Sequence, residues 1–131
     1  MFRHLMFKHQ NQTIMTYKEK VQDIYNMLGQ GQLLDAFDKY YGENVVMTEP
    51  RGTREGKATC REYEIQFLNN VQEFHNLEVR SIGSDEANGV TFVESAMDVT
   101  FKDGNRVNME QTAVQRWEGD HIVHERFYYE Q

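Results

Sequence analysis

An α+β fold, with helices gathered over one face of a curved sheet, is what the order of patterns along this chain predicts. From Tyr17 to Phe74 apolar residues recur at helical spacing, interrupted by one short β-rich run at 44–49. From Leu77 onward the chain alternates with period two, and "SDEANG", "KDGN" and "EGDH" separate the alternating runs as hairpin connections would. Helices first and a meander of long strands afterwards define the class.

Tyr17, Val21, Ile24, Tyr25 and Leu28 share one helical face, and Gly29 with Gly31 stops that helix. Leu33 to Tyr41 reads as a second, short helix ending at Gly42. A third is expected from Lys57 to Phe74, burying Cys60, Tyr63, Phe67, Val71 and Phe74 at intervals of three and four. The later strands are placed at Leu77 to Gly83, Gly89 to Phe101, Arg106 to Trp117 and Ile122 to Glu130.

With 131 residues the chain makes one domain large enough for a real core and a ligand-sized cavity. Twenty-one acidic against fourteen basic side chains leave a formal charge of −7. That field repels phosphate backbones and anionic membranes, so neither nucleic acid nor membrane is an expected partner. No run approaches the length of a membrane span. Cys60 is the single cysteine, which excludes an internal disulfide and fits a reducing cytoplasm. "MFRHLMFKHQNQTI" has no signal-peptide pattern, and Met1 to Ile14 is expected to be a flexible tail ahead of a domain at 15–131.

If "KDGN" sets Phe101 opposite Arg106, one face of that hairpin holds Phe92, Glu94, Ala96 and Asp98 beside Met109, Gln111, Ala113, Gln115 and Trp117. The other holds Val93, Ser95, Met97 and Val99 beside Thr112 and Val114. Hydrophobicity favours the valine-rich face as the inner one, and periodicity does not place Glu94 and Asp98.

In "VVMTEPRG" a strand ends on Glu49, locked before Pro50, the only proline of the chain. A residue before proline is pushed into extended geometry, so this is a turn carboxylate or a base at a pocket mouth. His121 and His124, three apart on a strand, point to opposite faces, so no metal or cofactor site is expected there.

The span from Tyr17 to Glu130 resembles the SnoaL-like, nuclear-transport-factor-2-like superfamily. The resemblance rests on "VQDIYNMLGQGQLLDAFDKYYGENVVMTEP", on "TEPRGTREGKATCREYEIQFL" and on the closing hairpin "AVQRWEGDHIVHERFYYEQ". It implies a cystatin-like cone, three N-terminal helices packed on a strongly curved, mostly antiparallel sheet, with a pocket for a small apolar or mixed-polarity molecule. It places Glu94, Ala96 and Asp98 inside, together with Met47, Glu49, Glu125, Phe127 and Tyr129. The face carrying Val93, Met97, Val99 and Val114 becomes the expected homodimer surface.

Relatives in that superfamily supply roles. Glu49 stands where ketosteroid isomerases carry their proton-shuttling Asp–Pro pair, and Tyr25 where they carry a tyrosine on the first helix, but Ala113 replaces their second donor. Against limonene epoxide hydrolase, Asp98 matches one aspartate while Ala96 and Phe127 replace its arginine and other aspartate. The expected site therefore has Glu49 as general base and Asp98 as partner or acid. Tyr25, Met47, Phe92, Glu94, Met109, Gln111, Trp117, Glu125, Phe127 and Tyr129 would line the pocket. Isomerisation, cyclisation or hydrolysis by a pocket carboxylate is one expectation, and a non-catalytic binding module that dimerises through its sheet is the other.

Overall fold

The computed structural model describes residues 14–130. The expected tail lies, apart from Ile14, outside the described residues.

Helix α1 (Tyr17–Gly29) starts on a capping box, Thr16 accepting from the Glu19 amide and Glu19 from that of Thr16. The distant Glu86 carboxylate takes two more of its free amides, those of Tyr17 and Lys18. Val21, Ile24 and Tyr25 face inward. Helix α2 (Leu33–Tyr40) buries Ala36, Phe37 and Tyr40 and runs straight into strand β1 (Tyr41–Glu49). Asp23 of α1 accepts from Tyr40 and Lys39, fastening the two helices together.

A short strand missed in the sequence, β2 (Gly52–Glu55), pairs back on β1, with Glu49 opposite Gly52 across the Pro50–Arg51 turn. Only four residues long and bounded by Gly52 and Gly56, it gave no periodic signal.

Helix α3 (Lys57–Asn70) is shorter than expected, because Val71 already begins strand β3 (Val71–Asp85). Val71 and Phe74 had mimicked helical spacing. They sit instead opposite Phe101 and Val99 on a strand with three register shifts, which scramble its alternation. Tyr63 is 42% exposed and only Cys60 of α3 is fully buried, since this helix roofs a cavity rather than a solid core, and Phe74, on β3, is likewise 42% exposed.

Strands β4 (Val90–Phe101), β5 (Arg106–Glu118) and β6 (His121–Tyr128) complete a six-stranded sheet of order β2-β1-β6-β5-β4-β3, antiparallel except where β6 lies parallel to β1. The β4–β5 register corrects the expected faces by one residue. Thr100, not Phe101, lies opposite Arg106, because Gly104 at φ 93° and the Asp103 side chain on the Asn105 amide close a tighter loop. The inner face thus joins Thr91, Val93, Ser95, Met97 and Val99 to Met109, Gln111, Ala113, Gln115 and Trp117. Val93 and Val99 are fully buried, so they form core and not the dimer surface expected of them. Phe92, Glu94 and Asp98 face outward. The valine-rich face is the inner one, as hydrophobicity alone favoured.

Between helices and sheet, Trp117 packs against Tyr17 and Tyr40, with ring centroids at 5.5 and 5.9 Å, and Phe37 stacks on Tyr41 at 4.5 Å. This core closes one end of the layer pair and leaves the other open.

Candidate functional site

Strand pairing sets the polar groups of the open end in rows. One row crosses the sheet as Arg54, Met47, Glu125, Gln115 and Thr91, on β2, β1, β6, β5 and β4. Two residues further along β1, Glu49 lies on the same inner face as Met47. Facing these strands, α1 contributes Tyr25 and α3 contributes Tyr63, Glu64 and Phe67 to a cavity of about 1000 Å³.

At the mouth, Glu49 accepts from Tyr129 Oη at 2.5 Å and from Arg54 at 2.8 Å. Burial works against its charge. The hydrogen bonds from Tyr129 and Arg54 and the arginine's charge outweigh that, holding Glu49 below the ordinary carboxylate range. The Arg54 guanidinium lies on the Tyr63 ring, 3.6 Å from its centroid, with its Nε buried and without a hydrogen-bond partner among the described residues. The Tyr129 hydroxyl is pushed up to about 12, by burial first and by Glu49 second.

Glu64 has no hydrogen-bond partner among the described residues. Burial pushes its carboxyl up to about 7, reinforced by the charge of Glu125 and partly opposed by Arg54. The side chain keeps some accessible surface because the cavity it lines is open.

Glu125 is 2% exposed. It accepts from Tyr41 at 2.5 Å and from Gln115 at 2.7 Å, while Gln115 accepts from Thr91 and Thr91 from Trp117. Burial raises Glu125, and these hydrogen bonds and Arg54 offset only part of the rise. Burial likewise drives the Tyr25 and Tyr41 hydroxyls up, and both feel the charge of Glu125.

Of the residues expected in the pocket, the structure brings Tyr25, Glu49, Met109, Gln111, Glu125, Phe127 and Tyr129 to one cavity. Met47 and Trp117 are buried in the core beside it. Phe92 is 41% exposed on the opposite face, while Glu94, although it accepts from Ser81 on the outer side of β4, also borders the cavity. Asp98 is held by both arms of Arg106, at 3.0 and 2.8 Å, on the outer surface, away from the partner role expected of it. The resemblance had set this face of β4 inside, whereas the fully buried Val93 and Val99 belong to the opposite face, which joins Met109, Gln111 and Ala113 of β5.

Four groups were not singled out from the sequence as site residues: Arg54, Glu64, Tyr41 and Tyr63. Glu64 had a signal, being four residues after Cys60 and three before Phe67 and so on the inward side of α3. Among the described residues no three His, Cys, Asp or Glu side chains are placed to hold a metal ion. No helix among the described residues is long and apolar enough to cross a membrane.

A helix-covered, mostly antiparallel sheet with a cavity lined by carboxyl and tyrosine groups defines an α+β domain. The profile of the SnoaL-like domain matches residues 15–129, and the chain belongs to that family. No curated protein matches it. Among solved structures it is similar to a candidate SnoaL-like polyketide cyclase, also labelled carbohydrate phosphatase, from Mesorhizobium loti. The two share 28% identity over 88% of this chain and 100% of that one, with a TM-score of 0.76. An uncharacterised cystatin-fold protein from Novosphingobium aromaticivorans shares 19% identity over 88% of this chain and 100% of that one, TM-score 0.74. A candidate isomerase from Bacillus subtilis shares 16% over 88% and 90%, TM-score 0.75. These last two likenesses show the fold, the cystatin-like α+β arrangement expected from the sequence.

Proposed function

We propose that this chain is a proton-transfer enzyme, an isomerase or cyclase, for a small apolar or mixed-polarity molecule, with Glu64 as the group that takes up and returns the proton. The observation that carries this reading is Glu64 itself, a cavity-facing carboxyl without a hydrogen-bond partner among the described residues and poised at about 7. An acid–base group works best when its pKa lies near the operating pH. Glu49, expected as the base, is committed to Arg54 and Tyr129 and serves as the counter-ion that fixes Arg54 against Tyr63. The cyclase and isomerase labels of the Mesorhizobium and Bacillus proteins support the reaction class.

The test is a screen of enolisable ketones followed by Glu64→Gln. The substitution is expected to lower kcat by about 10²- to 10⁴-fold, the usual worth of a positioned acid or base. Turnover equal to wild type would refute the role of Glu64.

The alternative of a dimeric binding module keeps one specific observation. Phe92, opposite Val114, and Tyr128, opposite Thr112, are 41% and 51% exposed on the outer face of the sheet. In this proposal the homodimer forms there, in a cytoplasmic setting where Cys60 stays a thiol.

A further inference from the structure

The polar row behind the cavity has a fixed direction. An indole N–H can only donate, and Trp117 Nε1 donates to Thr91 Oγ1 at 3.0 Å. The Thr91 proton passes on to Gln115 Oε1 at 2.7 Å. With its carbonyl oxygen so engaged, Gln115 presents an amide N–H to Glu125 Oε2, also at 2.7 Å. One oxygen of Glu125 is therefore always an acceptor. Any proton that Glu125 carries sits on the other, Oε1, which faces Tyr41 Oη at 2.5 Å.

Two states follow. With Glu125 ionised, Tyr41 spends its only proton on the carboxylate. With Glu125 protonated, the carboxyl donates to Tyr41, and the tyrosine proton is released towards the cavity that Tyr41 lines. We propose that Tyr41 is the donor that receives a substrate's carbonyl oxygen, and that Trp117, Thr91, Gln115 and Glu125 are positioning residues that free its proton for this task.

The inference rests on the acid–base reading of Glu64 and names the substrate class. The substrate is a neutral carbonyl compound whose oxygen binds Tyr41 while the adjacent C–H faces Glu64. As the proton moves from carbon to the Glu64 carboxylate, the electron pair of that C–H bond becomes the enolate. The charge on its oxygen is met by the Tyr41 hydrogen bond, and Tyr41 keeps its proton. The titratable groups around Glu125 are Tyr25 of α1, Tyr41 of β1, Arg54 of β2, and Cys60 and Glu64 of α3. Arg54 alone among them carries positive charge, and it is already paired with Glu49.

Glu125→Gln is the decisive variant. Its amide accepts from Gln115 through oxygen and donates to Tyr41 through nitrogen, which reproduces the protonated state at every pH. The probe is acetophenone labelled at its carbonyl carbon, and the readout is the carbonyl stretching band of the bound ketone from about pH 5 to about pH 9. In wild type a hydrogen-bonded, down-shifted band is expected at low pH and fades as pH rises. Glu125→Gln is expected to keep it throughout, and Tyr41→Phe to lack it throughout. In Glu64→Gln the pH dependence should persist, so this result stands or falls separately from the catalytic role of Glu64. A band that survives Tyr41→Phe, a Glu125→Gln protein that follows the wild-type profile, or no bound band in wild type would each overturn the proposal.

Discussion

Glu64 links the site to stability with a sign opposite to that of most carboxylates. Its folded pKa of about 7 lies above the ordinary 4.5, so between those values the folded chain binds more protons than the unfolded one. Stability therefore falls as pH rises through that window, by about 3 kcal/mol at most from this group. Urea unfolding at the two ends of the window should show this fall in wild type and a shallower one in Glu64→Gln, where Glu125 still contributes in the same direction. Asp98→Asn, which removes only an exposed pair with Arg106, should leave turnover and the unfolding midpoint at their wild-type values. Glu49 was legible as a carboxylate ending a strand before Pro50, a local property, whereas Tyr25, Glu125 and Tyr129 were placed in the site by the family resemblance. Asp98 was misassigned because the resemblance set its face inside against the hydrophobicity of the opposite face, whose Val93 and Val99 are fully buried.

At the scale of elements, the β3–β4 connection is where the backbone is least forgiving. Gly89 adopts φ 66°, and a Cβ there would come within 3.0 Å of the Trp117 carbonyl oxygen. Trp117 also donates its backbone N–H to the Gly89 carbonyl at 2.8 Å, so the two strands cannot easily separate. Gly89→Ala should cost about 1–3 kcal/mol in chemical denaturation. Thr16→Ala, which breaks the capping box of α1, should cost about 1 kcal/mol. The helix and strand types were legible wherever periodicity ran for a dozen residues. It failed where a strand was too short to show a period, as in β2, or where bulges broke the alternation, as at the α3–β3 junction around Val71 and Phe74.

For the whole molecule, the open end of the layer pair creates the site, and the face turned away from it carries the exposed Phe92 and Tyr128. If that outer face holds two copies together, light scattering at micromolar concentration should report a dimer that Phe92→Asp converts to monomer. A monomeric wild type would remove the interface. Helix α3 has a different standing from the rest of the fold, since it roofs the cavity with Cys60 as its only fully buried residue. The thiol lies beneath that roof, near the backbone carbonyl oxygens of Val45 and Arg54. Cys60 is thus a built-in clock for the opening of the roof. Its rate of alkylation counts how often α3 lifts, and any molecule lodged beneath the helix should slow it in proportion to occupancy, before its chemistry is known.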